Sequence, residues 1–173
     1  MKACLFSLLL SLSAYVSPAQ SLFPDRITGR WTGMMKIWKN GAVQDSVFVI
    51  LNVRAIGSDR WQWKMEYKSA MNPMTKDYTI RLKDRAKHQF VTDEGQGIEL
   101  EDYVFGDRMM SMFETGDIWL TGSQEISGEN LIFQVTAGKK TTTLEQGVTN
   151  YSVTSLQRVV LSRSNHETFS RKP

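Results

Sequence analysis

Five carboxylates lie within one segment, TDEGQGIELED at residues 92–102, and a group of this kind can support chemistry. The five are Asp93, Glu94, Glu99, Glu101 and Asp102. Clustered carboxylates bind Ca²⁺ or act as the paired acids of a glycosidase. However, the spacing differs from the Asp-x-Asp-x-Asp-Gly pattern of a calcium loop, and Glu99 and Glu101 alternate with apolar residues. We therefore interpret the segment as a charged hairpin that faces water, and we predict neither a metal site nor a catalytic site there.

Other residues with catalytic potential are few. Cys4 is the only cysteine and lies in an apolar leader, so a chain that has lost the leader has neither a thiol nucleophile nor a disulfide. The two histidines, His88 and His166, have no histidine or cysteine at metal-ligand spacing. The sequence contains no Gly-x-Ser-x-Gly elbow, no phosphate-binding loop and no dinucleotide fingerprint. It therefore favours a binding protein over an enzyme and predicts no cofactor.

The N-terminal residues have the features of a secretory signal peptide. Lys2 precedes the apolar run CLFSLLLSLSAYV, and cleavage before Gln20 would follow the small residues Ser17 and Ala19. The run is shorter than the about 20 apolar residues that a membrane-spanning helix needs. We predict a signal peptide at residues 1–19 and an exported protein, periplasmic or extracellular, with no integral membrane segment after cleavage.

The charge of the chain is nearly balanced. The sequence has 21 basic and 18 acidic residues, a net charge of +3, and loss of Lys2 with the leader leaves +2. Basic and acidic residues are interspersed, without the basic stripe that nucleic-acid binding requires. We therefore predict no nucleic-acid partner. About 150 residues remain after the leader, which suits one domain with its own core.

The elements that must position any site are predicted to be β-strands. The segment RWQWKMEY, residues 60–67, alternates strictly between apolar and polar residues, which is typical of a half-buried strand. Its apolar residues are Trp61, Trp63, Met65 and Tyr67. The segment DYTIRLK, with Tyr78 on its apolar face, alternates in the same way, and NLIFQV, which contains Phe133, does so more weakly.

Short turns separate the predicted strands. Turn signals such as Asn40-Gly41 and Ser127-Gly128 recur about every ten to fifteen residues, and no long helix is indicated. The pattern predicts an all-β protein of about 8–10 strands, and an antiparallel up-and-down β-barrel would leave no exposed edges. We place this barrel at residues 26–163, after a linker at 20–25 and before a polar tail at 164–173.

Two other architectures fit parts of the pattern. A two-sheet sandwich has the same strand content, but the Cys…Trp…Cys spacing of an immunoglobulin-type sandwich is missing. In an outer-membrane barrel the apolar face of residues 60–67 would point to lipid. Against this arrangement, GSQEISGEN and TTTLEQGVTN have no clean apolar face. A barrel with an apolar interior is therefore favoured.

The segment ITGRWTG carries a family resemblance. Gly29-Arg30-Trp31, at the start of the first predicted strand, resembles the Gly-x-Trp motif that opens lipocalins and related calycin barrels. The resemblance implies a lipocalin-like barrel in which this tryptophan packs near the closed end against an arginine from the last strand. Arg158 and Arg163 are the candidate partners in SLQRVVLSRS, and we assign the structural closure to Gly29, Trp31 and Arg158.

The aromatic alternation suggests a function for the interior. We predict a cavity wall for a small apolar or amphipathic ligand, formed by Trp61, Trp63, Met65, Tyr67, Tyr78 and Phe133. Aromatic rings offer such a ligand broad apolar area with polar edges. In the alternative, the same residues fill the barrel as core, and the protein binds a protein or glycan partner through its loops.

Overall fold

The computed structural model describes residues 21–143 and 147–164. The described chain contains one helical turn and ten strands: α1 (Phe23–Arg26), β1 (Gly29–Lys39), β2 (Ala42–Gly57), β3 (Arg60–Lys68), β4 (Met74–Asp84), β5 (Gln89–Gly95), β6 (Ile98–Phe105), β7 (Arg108–Thr115), β8 (Ile118–Ser127), β9 (Asn130–Thr143) and β10 (Thr149–Arg163). The predicted signal peptide, His166 and all but the first residue of the predicted tail lie outside the described residues.

The strands form one closed antiparallel barrel. Each strand pairs with the next along the chain, and β1 pairs with β10 to close the ring. At this closure Trp31 lies opposite Arg163, and Trp38 lies opposite Leu156. The prediction of an all-β, up-and-down antiparallel barrel is confirmed, and the strand number is at the upper end of the predicted range. Both edges of every described strand are at least partly paired, although the pairing of β6 with β7 is limited to residues 103–105 and 108–110.

Strict alternation along the strands separates the interior from the surface. In β3 the side chains of residues 61, 63, 65 and 67 are buried, whereas Arg60 and Lys68 at its two ends are exposed. β1 and β10 behave in the same way, with Trp31 and Met35 buried on one and Val159 and Leu161 on the other. The apolar faces therefore point into the barrel, opposite to their orientation in an outer-membrane barrel.

One end of the barrel is closed by the short helix that precedes it. The helix α1 begins near Pro24, whose missing N–H is tolerated in the first turn of a helix. Phe23 and Pro24 are buried, and Phe23 belongs to the main apolar core. Phe23 and Pro24 lie within the segment that the sequence predicts as a linker, residues 20–25. A linker is defined by few contacts, and these residues instead pack against the barrel.

Candidate functional site

At the closed end, Trp31 and Arg163 form the contact that the Gly-x-Trp resemblance implies. The Arg163 guanidinium lies 4.3 Å from the centroid of the Trp31 ring. It also donates to the carbonyl oxygens of Thr28 at 2.8 Å and Arg26 at 3.1 Å. The Trp31 indole N–H donates to the carbonyl oxygen of Ile27 at 2.8 Å. These contacts attach the segment between α1 and β1 to the last strand.

The arginine at this closure is Arg163, so the assignment to Arg158 is corrected. Residues 159, 161 and 163 point to the same side of β10, and Val159 and Leu161 are buried in the barrel. Arg158 has the opposite orientation, because side chains alternate along a strand. It lies opposite Lys36 of β1, five residues along the strand from Trp31.

Trp61 also belongs to the closed end. Its indole N–H donates to Asp25 Oδ1 of α1 at 2.8 Å, and its ring meets Phe90 edge-on at 6.1 Å between centroids. Met65 and Tyr67 are buried in the same core. All three side chains point inward, as expected from the alternation, but they do not line the cavity described next. Three of the six predicted wall residues therefore fill the core.

A cavity of about 290 Å³ lies inside the barrel, lined by residues of β3 to β9. Trp63, Tyr78 and Phe133, the remaining predicted wall residues, line it together. The Trp63 ring stacks on Tyr78 at 5.6 Å with 11° between the planes, and it lies 5.6 Å from Phe133. The Trp63 indole N–H donates to Gln124 Oε1 at 3.1 Å, which holds the ring in place.

The rim of the cavity lies at the hairpin end opposite α1. Lys76 is near the start of β4, Glu94 is next to the last residue of β5, and Thr115 ends β7, and all three line the cavity. Short hairpins connect the strands at this end, whereas the helical turn covers the other end. The cavity therefore extends from the packed middle of the barrel towards its uncovered end.

The carboxyl group of Asp102 lies on the cavity wall. The sequence predicted instead that it would face water. Asp102 is only 6% exposed. The Thr92 hydroxyl donates to Asp102 Oδ2 at 2.6 Å, and Ser111 also forms a hydrogen bond to this carboxyl group. Burial raises the pKa of Asp102 to about 6, although both hydroxyl hydrogen bonds act in the opposite direction.

Glu94 is the second carboxylate on the cavity wall. It hydrogen-bonds to the Tyr78 hydroxyl, and burial together with this carboxylate raises the pKa of Tyr78. The Lys76 ammonium group lies 5.8 Å from the centroid of the Tyr78 ring. One face of the cavity is thus aromatic, while Asp102 and Glu94 make another part acidic.

The acidic segment is therefore divided between two faces. Glu99 pairs with Arg81 at 2.7 Å, and Glu101 pairs with Lys83, both on the outside of the barrel. Asp102 and Glu94 point inward. Within residues 21–143 and 147–164, no group of three or more potential ligands could hold a metal ion. His88 is exposed in the turn between β4 and β5. The prediction of a water-facing hairpin is thus correct for Glu99 and Glu101 and wrong for Asp102.

Comparison with known proteins identifies the fold. No protein-family model and no curated protein matches this chain. An S-type phycobiliprotein lyase from Guillardia theta is similar in structure, with a TM-score of 0.62 and 9% identity over 84% of this chain and 92% of the lyase. Rv2717c from M. tuberculosis is similar with a TM-score of 0.53 and 13% identity, over 80% of this chain and 92% of that protein.

A third similar structure is larger. It is a protein of unknown function from the DUF3598 family of Nostoc punctiforme, with a TM-score of 0.58 and 10% identity over 82% of this chain. This chain spans 49% of that protein. At such identities the likeness concerns the fold alone, and the fold is a closed, lipocalin-like antiparallel β-barrel. Among the described residues, no helix has the length and apolar character needed to cross a membrane.

Proposed function

We propose that the protein is an exported carrier that binds a small apolar or amphipathic molecule inside its barrel. The observation that carries this proposal is the cavity of about 290 Å³ beside Trp63, Tyr78 and Phe133. Small-molecule sites are concave, mostly apolar and provided with a few polar groups, and they begin at about 300 Å³. Export rests on the predicted signal peptide at residues 1–19.

The uneven packing of the barrel interior supports a carrier over a filled interaction module. Phe23, Trp31 and Trp61 pack the closed end and belong to the main apolar core. The side of the interior under β3 to β9 contains large rings with space between them. Folded proteins leave few voids larger than a water molecule without a reason. Ligand binding accounts for large rings that line a space without filling it, whereas packing alone does not.

Native mass spectrometry of the protein purified from its own source tests the proposal. We expect a retained small molecule, and we expect Trp63→Ala to lose it because the variant removes the ring shared by two aromatic contacts. Trp119→Ala is the matched control, since Trp119 pairs with Tyr151 and does not line the cavity. If the wild-type protein is bare and also binds none of the apolar probes named below, the carrier function is wrong.

A further inference from the structure

The cavity has an electrostatic character that an apolar carrier does not need. Its wall includes two carboxyl groups, Asp102 and Glu94, and a single cation, Lys76. In the described part of the chain, no salt bridge involves either carboxyl group. Buried charges are costly unless they are both paired with an opposite charge and hydrogen-bonded, and these two carboxyl groups have only hydroxyl partners. The charge in the cavity is therefore an unexplained feature that points to the chemistry of the ligand.

We propose that the cavity selects small organic cations, in which a protonated amine meets Asp102 while an apolar or aromatic body lies against Trp63 and Tyr78. This proposal rests on the proposed function, since it names the class of ligand that the same cavity binds.

The hydrogen bonds of Asp102 leave room for such an amine. A carboxylate has about four acceptor positions on its two oxygens. The Thr92 hydroxyl donates to Oδ2 at 2.6 Å, and Ser111 is the other partner. Both partners are neutral hydroxyl groups, which orient the carboxylate without neutralising it. A ligand ammonium group supplies the missing charge and forms a charge-assisted hydrogen bond, which is about twice as strong as a neutral one.

The aromatic wall favours the same class of ligand. The faces of aromatic rings carry a negative electrostatic potential that attracts cations, and tryptophan attracts them most strongly. Trp63 and Tyr78 are stacked on each other, and both line the cavity together with Asp102. The stack covers one face of each ring and Lys76 already lies near Tyr78, so the rings offer the ligand mainly apolar surface for its body, while Asp102 supplies the charge.

The carboxyl groups on the cavity wall disfavour anionic ligands. Glu94 lies on the same wall and accepts a hydrogen bond from Tyr78, so its carboxylate already faces the interior. Lys76 is at the rim, with its ammonium group 5.8 Å from the Tyr78 ring. A ligand carboxylate could approach Lys76 at the rim, but deeper in the cavity it would meet like charge. Neutral apolar ligands would leave the charge of Asp102 uncompensated.

Three isosteric probes test the selectivity: 2-(2-naphthyl)ethylamine, 2-(2-naphthyl)ethanol and 2-naphthylacetate. They share one apolar body and differ in charge. The protein, expressed from its full sequence, is titrated with each probe by calorimetry at pH 7.5. We expect the amine to bind about tenfold more tightly than the alcohol, or about 1.4 kcal/mol, and the acetate to bind most weakly. In Asp102→Asn we expect the amine to lose this advantage while affinity for the alcohol stays within about twofold.

Glu99→Gln is the matched control, because it removes a carboxylate from the outer face of the same strand. A second readout is the pH dependence of amine affinity. The ionisable groups that line the cavity with Asp102 are Glu94 on β5 and Tyr78 and Lys76 on β4. Since burial raises the pKa of Asp102 to about 6, amine affinity should fall between pH 7.5 and pH 5, and affinity for the alcohol should not.

The possible results separate the two proposals. Equal or tighter binding of the alcohol or acetate overturns the selectivity and leaves the carrier function standing. Retention of the amine preference in Asp102→Asn also overturns it. Failure of all three probes to bind overturns the cation proposal, and together with a bare native mass it overturns the carrier function as well.

Discussion

In the ligand-free protein, Asp102→Asn is expected to stabilise the fold at neutral pH. Burial raises the pKa of Asp102 from the ordinary value of 3.8 to about 6. A carboxyl group whose pKa is higher in the folded state binds its proton more tightly there than in the unfolded chain. The free energy of unfolding therefore falls as the pH rises from about 3.8 to about 6, and the loss is fully present above that range.

The size of this effect follows from the two pKa values. They differ by about 2, and each pKa unit corresponds to about 1.4 kcal/mol, so ionised Asp102 costs roughly 3 kcal/mol of stability. An asparagine has no charge to bury. Its amide accepts from one hydroxyl and donates to the other, so Thr92 and Ser111 keep their partners. We expect the variant to gain about 1–3 kcal/mol over the wild type at pH 7.5, because the amide hydrogen bonds are weaker than those of a carboxylate.

Urea denaturation followed by tryptophan fluorescence measures this gain at several pH values between 4 and 8. Subtracting the wild-type value at each pH removes the titrations that both proteins share. The gain should be largest at pH 7.5 and absent near pH 4, and Glu99→Gln should show no such pH-dependent gain. A difference that stays constant across this range, or a variant less stable than the wild type at pH 7.5, would refute the assignment of Asp102 as a costly buried carboxylate.

Three further predictions concern the packed part of the barrel. Arg163→Ala should lower the free energy of unfolding in urea by about 2 kcal/mol, because it removes a cation–π contact and two hydrogen bonds. Arg158→Ala should change it by less than about 0.5 kcal/mol. Equal losses in the two variants would contradict the role of Arg163 in closing the barrel. Gly33→Ala should lower stability by about 1–3 kcal/mol, because the new Cβ would lie 2.4 Å from a carbonyl oxygen of β10. Gly57→Ala is the control, because a Cβ at that position has no atom within 4 Å. Thermal melts followed by circular dichroism compare the two variants. Trp61→Phe should cost about 1 kcal/mol through its lost hydrogen bond to α1, yet leave probe affinity in calorimetry unchanged; a large loss of affinity would place the indole in the site.

The barrel could be predicted from sequence because its signals are local. Alternation with a period of two residues identifies each strand and its inward face, and the turn residues between strands identify the hairpins. Strand β3 shows this well, since all four apolar residues at 61–67 point inward as predicted. In a meander every strand pairs with its sequence neighbour, so local signals also determine most of the topology.

The position of a residue along the barrel axis was harder to predict. Trp61 and Trp63 are two residues apart on the same face, yet one seals the closed end and the other lines the cavity. The difference arises because α1 reaches Trp61 through Asp25, 36 residues away in the chain. No periodicity records such a distant contact. The same limit explains why residues 23–25 were predicted as a linker.

Two errors came from missing the alternation where its signal was present. Arg158 and Arg163 lie on opposite faces of β10, because side chains alternate along a strand, and only Arg163 shares a face with Val159 and Leu161. Likewise Asp102 shares its face with Leu100, whereas Glu101 does not. In both segments the charge of the residue, rather than its position in the strand, determined the interpretation. The alternation of side chains along β6 is enough to predict that the Asp102 carboxyl group lies inside the barrel.

The structure connects stability and selectivity through one side chain. Ionised Asp102 destabilises the empty barrel because it is buried without a cation, and a bound organic cation removes that cost by pairing with it. By linkage, a ligand that stabilises the ionised form lowers the pKa of Asp102 and binds more tightly as the pH rises through about 6. A neutral ligand leaves the cost in place. Asp102→Asn should therefore raise the stability of the empty protein and lower its affinity for the amine, and these opposite effects are expected together only if the carboxylate serves the ligand.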